Sequence, residues 1–160
     1  MFFLERNEKL RVDLKRMFQY YELSKKYSEN YILKRIFIRL AWSKHDKIFD
    51  RYGCDITPSC KLDNVIFRHP VGIVIGGGAI LKEGVIIHQN VTFGAIRFDK
   101  NNRGVSCNQI VEENTIICAG AKILGDVKIG KNCIIGANAV VTKNVPDGAT
   151  VVGFNKIILK

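Results

Sequence analysis

Residues 109–145 read QIVEENTIICAGAKILGDVKIGKNCIIGANAVVTKNV, and the spacing within them decides the architecture. Val111, Ile117, Ile123, Ile129, Ile135 and Val141 fall six residues apart without a break. Four places after each stands Thr115, Ala121, Val127, Cys133, Ala139 or Val145, all small or β-branched. Upstream, Ile75, Leu81, Ile87 and Phe93 keep the same step, with Ala79, Val85 and Val91 in the companion slot. A period of six matches neither the helical spacing nor strand alternation sustained over a long run. Repeats of this kind build a stacked solenoid of short strands. The large aliphatic residue fills the interior, the small one sits where the chain turns, and glycines such as Gly130 and Gly136 relieve the turn.

Outside the repeat the grammar differs. Leu10, Leu14, Met17, Phe18 and Tyr21 follow a three-to-four spacing, and after Ser28-Glu29-Asn30 a second stripe runs through Leu33, Ile36, Phe37, Leu40 and Ala41. No proline or glycine interrupts the chain before Gly53. The expected organisation is therefore a region of two basic amphipathic helices over residues 1–53, then the repeat domain over 54–160 with a loop at about 95–108.

The chain has 160 residues, 47% of them hydrophobic and 25% charged, which is enough apolar material for a real core. No run approaches the length of a membrane span. Met1-Phe2-Phe3-Leu4 meets Glu5 and Arg6 at once, which does not read as a signal peptide, so the expected location is cytoplasmic. Five cysteines form no C-x-x-C pair, which argues against both a disulfide scaffold and a zinc site; no metal is expected. The net charge is +10, and residues 1–53 carry 13 Lys/Arg against 7 Asp/Glu. No zinc-finger spacing or RNP-like aromatic pattern accompanies that charge, so nucleic acid is not expected as a partner. Peripheral membrane contact through the basic helices stays open, second to packing on protein.

Several segments resemble the hexapeptide-repeat acyltransferases, specifically their serine acetyltransferase-like branch. These are Asp55-Ile56-Thr57-Pro58, His69-Pro70-Val71-Gly72-Ile73-Val74-Ile75, Gln89-Asn90-Val91-Thr92-Phe93-Gly94, Gly120-Ala121-Lys122-Ile123-Leu124-Gly125 and Val145-Pro146-Asp147-Gly148. The resemblance covers about residues 54–153. It implies a left-handed parallel β-helix, homotrimers (alone or paired as a dimer of trimers) with active sites between subunits, and acetyl-CoA as donor.

Acetyl transfer to a hydroxyl needs a base near the alcohol proton, and histidine titrates in the right range. His69 lies where the repeat is disturbed, since Phe67 to Ile75 spans eight positions instead of six. The resemblance makes it the catalytic base and Asp55 the carboxylate that orients it. His88 is the competing base; counted in register it lies over Arg68, with Gln89 over His69, so Arg68, His88 and Gln89 are expected around the acceptor. His45, among Ser43, Lys44 and Asp46, reads as solvated surface. Gly94 and Ala95 end the regular rungs, where a backbone N–H can hold a developing oxyanion. For the donor, Lys122, Lys143 and Lys156 are candidate phosphate partners, with Ala121, Gly136 and Ala139 allowing close approach.

The sequence departs from the serine enzymes at the acceptor end. Their acidic residue before the histidine is Arg68 here, their Arg-His pair is Cys107-Asn108, and their glutamate after the histidine is Gly77. On these substitutions the expected acceptor is a hydroxyl of a bacterial capsule or exopolysaccharide sugar. Serine O-acetylation and a non-catalytic hexapeptide-repeat scaffold are the alternatives.

Overall fold

In a computed structural model, residues 2–96, 100, 108–153 and 156–158 are described. Two helices open the chain: α1 (Phe2–Lys26) and α2 (Tyr31–Tyr52). The Asn30 side chain caps α2 by accepting the Leu33 N–H at 3.1 Å. Gly53 ends it with φ +63°, its N–H donating to the Phe49 carbonyl at 2.8 Å. Helix α1 buries Leu10, Leu14 and Met17, whereas α2 buries only Ala41, Ile48 and Tyr52. The rest of the second stripe is less covered than its pattern implies: Ile36 and Leu40 are exposed, as are Tyr31, Ile32, Trp42 and Phe49.

Beyond Gly53 the chain winds as a left-handed parallel β-helix. Strands of two or three residues stack into three sheets. The first holds Asp55–Ile56, Val74–Ile75, Thr92–Gly94, Lys122–Leu124 and Val140–Val141. The second runs from Lys61–Leu62 to Lys128–Ile129. The third starts at Ile66–Phe67 and ends with Thr150–Val152, against which Lys156–Ile158 pairs antiparallel. Each interior position is dry: Ile75, Leu81, Ile87, Phe93, Val111, Ile117, Ile123, Ile129 and Ile135 have no exposed surface, nor do Thr115, Ala121, Cys133 and Ala139 at the corners. Thr115 satisfies its buried hydroxyl by donating to the Gly130 carbonyl at 2.7 Å.

The six-residue period thus has a simple cause. Three short strands per turn present one residue in two to the axis, and most corners take a small or β-branched side chain. Asn64, Asn90, Asn114, Asn132 and Asn138 take positive φ at these corners, in columns shared with glycines such as Gly84 and Gly120. One apolar cluster continues from α1 and the end of α2 into the first coil. The Asn7 side chain also donates to the Phe67 carbonyl at 3.0 Å, tying α1 to that coil. Among the described residues, no helix is long and apolar enough to cross a membrane.

Candidate functional site

The first coil departs from the regular eighteen-residue step, and the departure builds the site. Ile56 pairs with Ile75, Phe67 with Ile87, and Val74 with Thr92. The offset therefore changes from nineteen to twenty to eighteen residues along the coil. One residue is missing at Asp63-Asn64-Val65, and two are added between Phe67 and Val74. The Arg68 N–H donates to the Ile87 carbonyl at 2.7 Å, and the Asn90 N–H to the Val71 carbonyl at 3.0 Å. The two extra residues are therefore His69 and Pro70, pushed out as a bulge at the corner between the third and first sheets. His69 takes φ +53°, the one described residue other than asparagine and glycine to do so. Its side chain is exposed and Pro70 is buried beneath the bulge.

Around this corner the register brings together most of the expected acceptor group. His88 follows Ile87 directly above Arg68, as expected. Burial lowers the pKa of His88 from the ordinary histidine value, and the neighbouring charges of His69 and Arg68 lower it further. Gln89 departs from the expected position over His69, because the bulge is absorbed before Val71 and Gln89 falls level with that residue instead. Its Oε1 is buried with no hydrogen-bond partner among the described residues.

Asp55 opens the first sheet beneath this corner. Its N–H donates to the Ile73 carbonyl at 2.8 Å, and the Gly72 N–H to the Gly53 carbonyl at 2.9 Å, so the segment after His69 runs directly over the start of the coil. The Asp55 carboxylate is held by a residue that the sequence reading had assigned to solvent. His45 Nε2 lies 2.9 Å from Asp55 Oδ1 and His45 Nδ1 lies 3.2 Å from Asp46 Oδ1. The imidazole is only 13% exposed, packed edge-on to Trp42 with ring centroids 4.9 Å apart. It is not solvated surface: α2 ends where the first coil begins, and that turn folds His45 back onto Asp55.

Gly94 closes a strand of the first sheet. Its carbonyl accepts both the Gly125 N–H at 3.0 Å and the Gln109 side-chain amide at 2.9 Å. Gln109 is almost fully buried, and nothing in the repeat pattern had singled it out. Ala95 is half-buried beside it. The segment that follows, including Cys107, lies mostly outside the described residues.

The expected donor residues are spread over the later coils. Lys122 Nζ donates to the Asn90 carbonyl at 2.7 Å and to Thr92 Oγ1 at 3.1 Å, on the outside of the first sheet. Lys143 is exposed, and Lys156 lies on the last strand. Ala121 and Ala139 are fully buried in the core. Gly136 has a reason within the fold: a Cβ there would lie 3.0 Å from the Val151 carbonyl of the next coil.

Residues 110–143 match the family model described as bacterial transferase hexapeptide (six repeats). A serine acetyltransferase of Staphylococcus aureus is 38% identical over 109 residues, covering 68% of this chain and 49% of that protein. The chain carries the bacterial transferase hexapeptide repeat and is similar along it to serine acetyltransferases. Among solved structures, soybean serine acetyltransferase complexed with serine superposes with a TM-score of 0.69 at 28% identity, over 88% of this chain and 55% of that one. Serine acetyltransferase of Brucella abortus in complex with coenzyme A gives 0.70 at 25% identity, over 98% and 70%. The chain spans less than half the length of the curated relatives it matches.

These likenesses overturn the expectation of a polysaccharide acceptor, and of a saccharide partner with it. The curated relatives at 37–38% identity and the structural neighbours carry the serine acetyltransferase name. The expectation rested on Arg68, Cys107, Asn108 and Gly77. A few changed side chains at one end of a site weigh less than kinship running through the whole repeat. Gly77 has a local reason too, since a Cβ there would lie 2.7 Å from Ser59 Oγ.

Proposed function

We propose that this chain is an acetyl-CoA-dependent serine O-acetyltransferase, with His69 as general base. The observation that carries the reading is the bulge, which exposes His69 on a scaffold whose relatives are serine acetyltransferases. His69 takes the proton of the serine hydroxyl as its oxygen attacks the thioester carbonyl of acetyl-CoA. The tetrahedral oxyanion is held by backbone N–H groups at Gly94 and Ala95, a contribution of about 3–4 kcal/mol per donor. Collapse expels the coenzyme A thiolate, which takes the proton back from His69, leaving O-acetylserine and the free thiol.

Acceptor recognition differs from the family pattern in its charges. Arg68 pairs with the serine carboxylate, and Gln89 Oε1, which has no partner among the described residues, accepts from the ammonium group. His88, favoured in its neutral form chiefly by burial, lines the site without adding positive charge. Lys122, Lys143 and Lys156 are the candidate cations for the coenzyme phosphates, where Ala121, Gly136 and Ala139 leave the surface low. The working assembly is a homotrimer with sites between subunits, and the helices and repeat act as the two units expected over residues 1–53 and 54–160.

The test is coenzyme A release from acetyl-CoA by the purified protein with L-serine. Turnover that depends on serine and disappears in His69→Asn supports the reading. Absence of serine-dependent turnover, or indifference to His69→Asn, overturns it and favours the scaffold alternative.

A further inference from the structure

We propose that His45 is a positioning residue, which holds the Asp55 carboxylate in place for the His69 base. The inference rests on the serine acetyltransferase reading, because only there does Asp55 act through His69. It goes beyond that reading by assigning a role to the helical region, which the repeat alone does not require.

Asp55 stands on a strand of two residues at the open end of the first sheet, with only the Val74–Ile75 strand beside it. Its side chain is 47% exposed, so the coil does not fix its rotamer. His45 does. It approaches from α2 with Nε2 at 2.9 Å, engages one carboxylate oxygen, Oδ1, and leaves Oδ2 for a second partner. The imidazole is itself fixed from three sides. Asp46 Oδ1 meets Nδ1, the Trp42 ring packs on its edge, and the glycine cap at Gly53 sets how α2 enters the coil. A side chain held by packing can hold its own partner to a narrow geometry. Misplacement of a catalytic group by about 1 Å can cost on the order of 100-fold in rate. His45 touches neither substrate in this arrangement and acts only through Asp55.

The experiment compares His45→Ala, His45→Gln and Asp55→Asn in the full chain. Three readouts are taken: steady-state kinetics with L-serine and acetyl-CoA, ring 15N shifts of His69 by NMR, and thermal midpoint. His45→Ala is expected to lower kcat on the order of 10–100-fold with KM for acetyl-CoA unchanged. His45→Gln keeps a side-chain N–H near the position of Nε2 and is expected to recover most of that loss. In the Asp55→Asn background the further change His45→Ala is expected to have little effect, since the two residues act as one unit. The His69 ring shifts should move in His45→Ala and return in His45→Gln.

Kinetics and His69 shifts that ignore His45→Ala, or that respond additively with Asp55→Asn, overturn the proposal. So does a His45→Ala protein that loses only thermal stability. Failure of the wild-type protein to acetylate serine overturns the functional reading instead. In that case the NMR comparison still decides whether His45 and Asp55 are linked to His69.

Discussion

His69 holds a backbone angle that most side chains avoid. The left-handed region is favoured by glycine and tolerated by asparagine, and every other described non-glycine residue found there is asparagine. A histidine kept at φ +53° in an exposed bulge stores strain of about 1–3 kcal/mol, which the packing of Pro70 and the coil above must over-determine. His69→Asn should therefore fold with a thermal midpoint at or above that of the wild type, while turnover falls by about 10²–10⁴-fold. Calorimetry and coenzyme A release on the same preparation check both halves. His88 makes a second prediction, in stability. Its folded pKa lies below the ordinary value of about 6.5, so the unfolded chain binds the extra proton more readily. Its contribution is fully present above that ordinary value and is lost as pH falls through the folded value. Urea midpoints at pH 7.5 and 5.5 should separate more in the wild type than in His88→Gln.

At the scale of the element, each corner of the β-helix is a contract between neighbouring coils. Gly120 and Gly148 both take positive φ, at +74° and +70°, so alanine is strained at either. Only at Gly120 would the added methyl also strike a neighbour, the Asn138 side-chain carbonyl, because nothing lies within 4 Å of a Cβ at Gly148. Gly120→Ala should therefore destabilise by more than Gly148→Ala, and adding Asn138→Gly should return part of the difference. Denaturant unfolding of the two single variants and the double variant measures it. The hexad itself was readable because it is local: one aliphatic and one small residue recur at fixed distance, whatever lies elsewhere in the chain. The partner of Gln109 was not readable. Gln109 stands six residues before Thr115, in the companion slot, but satisfies the Gly94 carbonyl across fifteen residues, a relation that no period contains.

For the whole molecule, α2 keeps Tyr31, Ile32, Ile36, Leu40, Trp42 and Phe49 exposed, and Gln89 keeps a buried carbonyl without a partner among the described residues. Both are features of one chain considered alone. The proposed trimer predicts a particle of three times 18.1 kDa in sedimentation equilibrium, stable on dilution to enzymatic concentrations. A monomer under those conditions would remove the intersubunit site from the proposed mechanism. The acceptor is also a question for the whole molecule. Read residue by residue, Arg68 and Cys107-Asn108 pointed away from serine, while the relationship over 109 residues points towards it.

Spacing alone determined a stacked solenoid of short strands, its filled interior, the two helices before it and the disturbed repeat at His69, since each follows from short-range period or its interruption; the left-handed β-helix was implied by the family resemblance. Which two residues form the bulge required the pairing of Phe67 with Ile87 and of Val74 with Thr92. The partner of Asp55 required more. His45 belongs to a helix with one period and Asp55 to a solenoid with another, and neither pattern refers to the other. Only the tertiary structure, through the turn at Gly53 that sets the angle between them, brings the imidazole to 2.9 Å from the carboxylate.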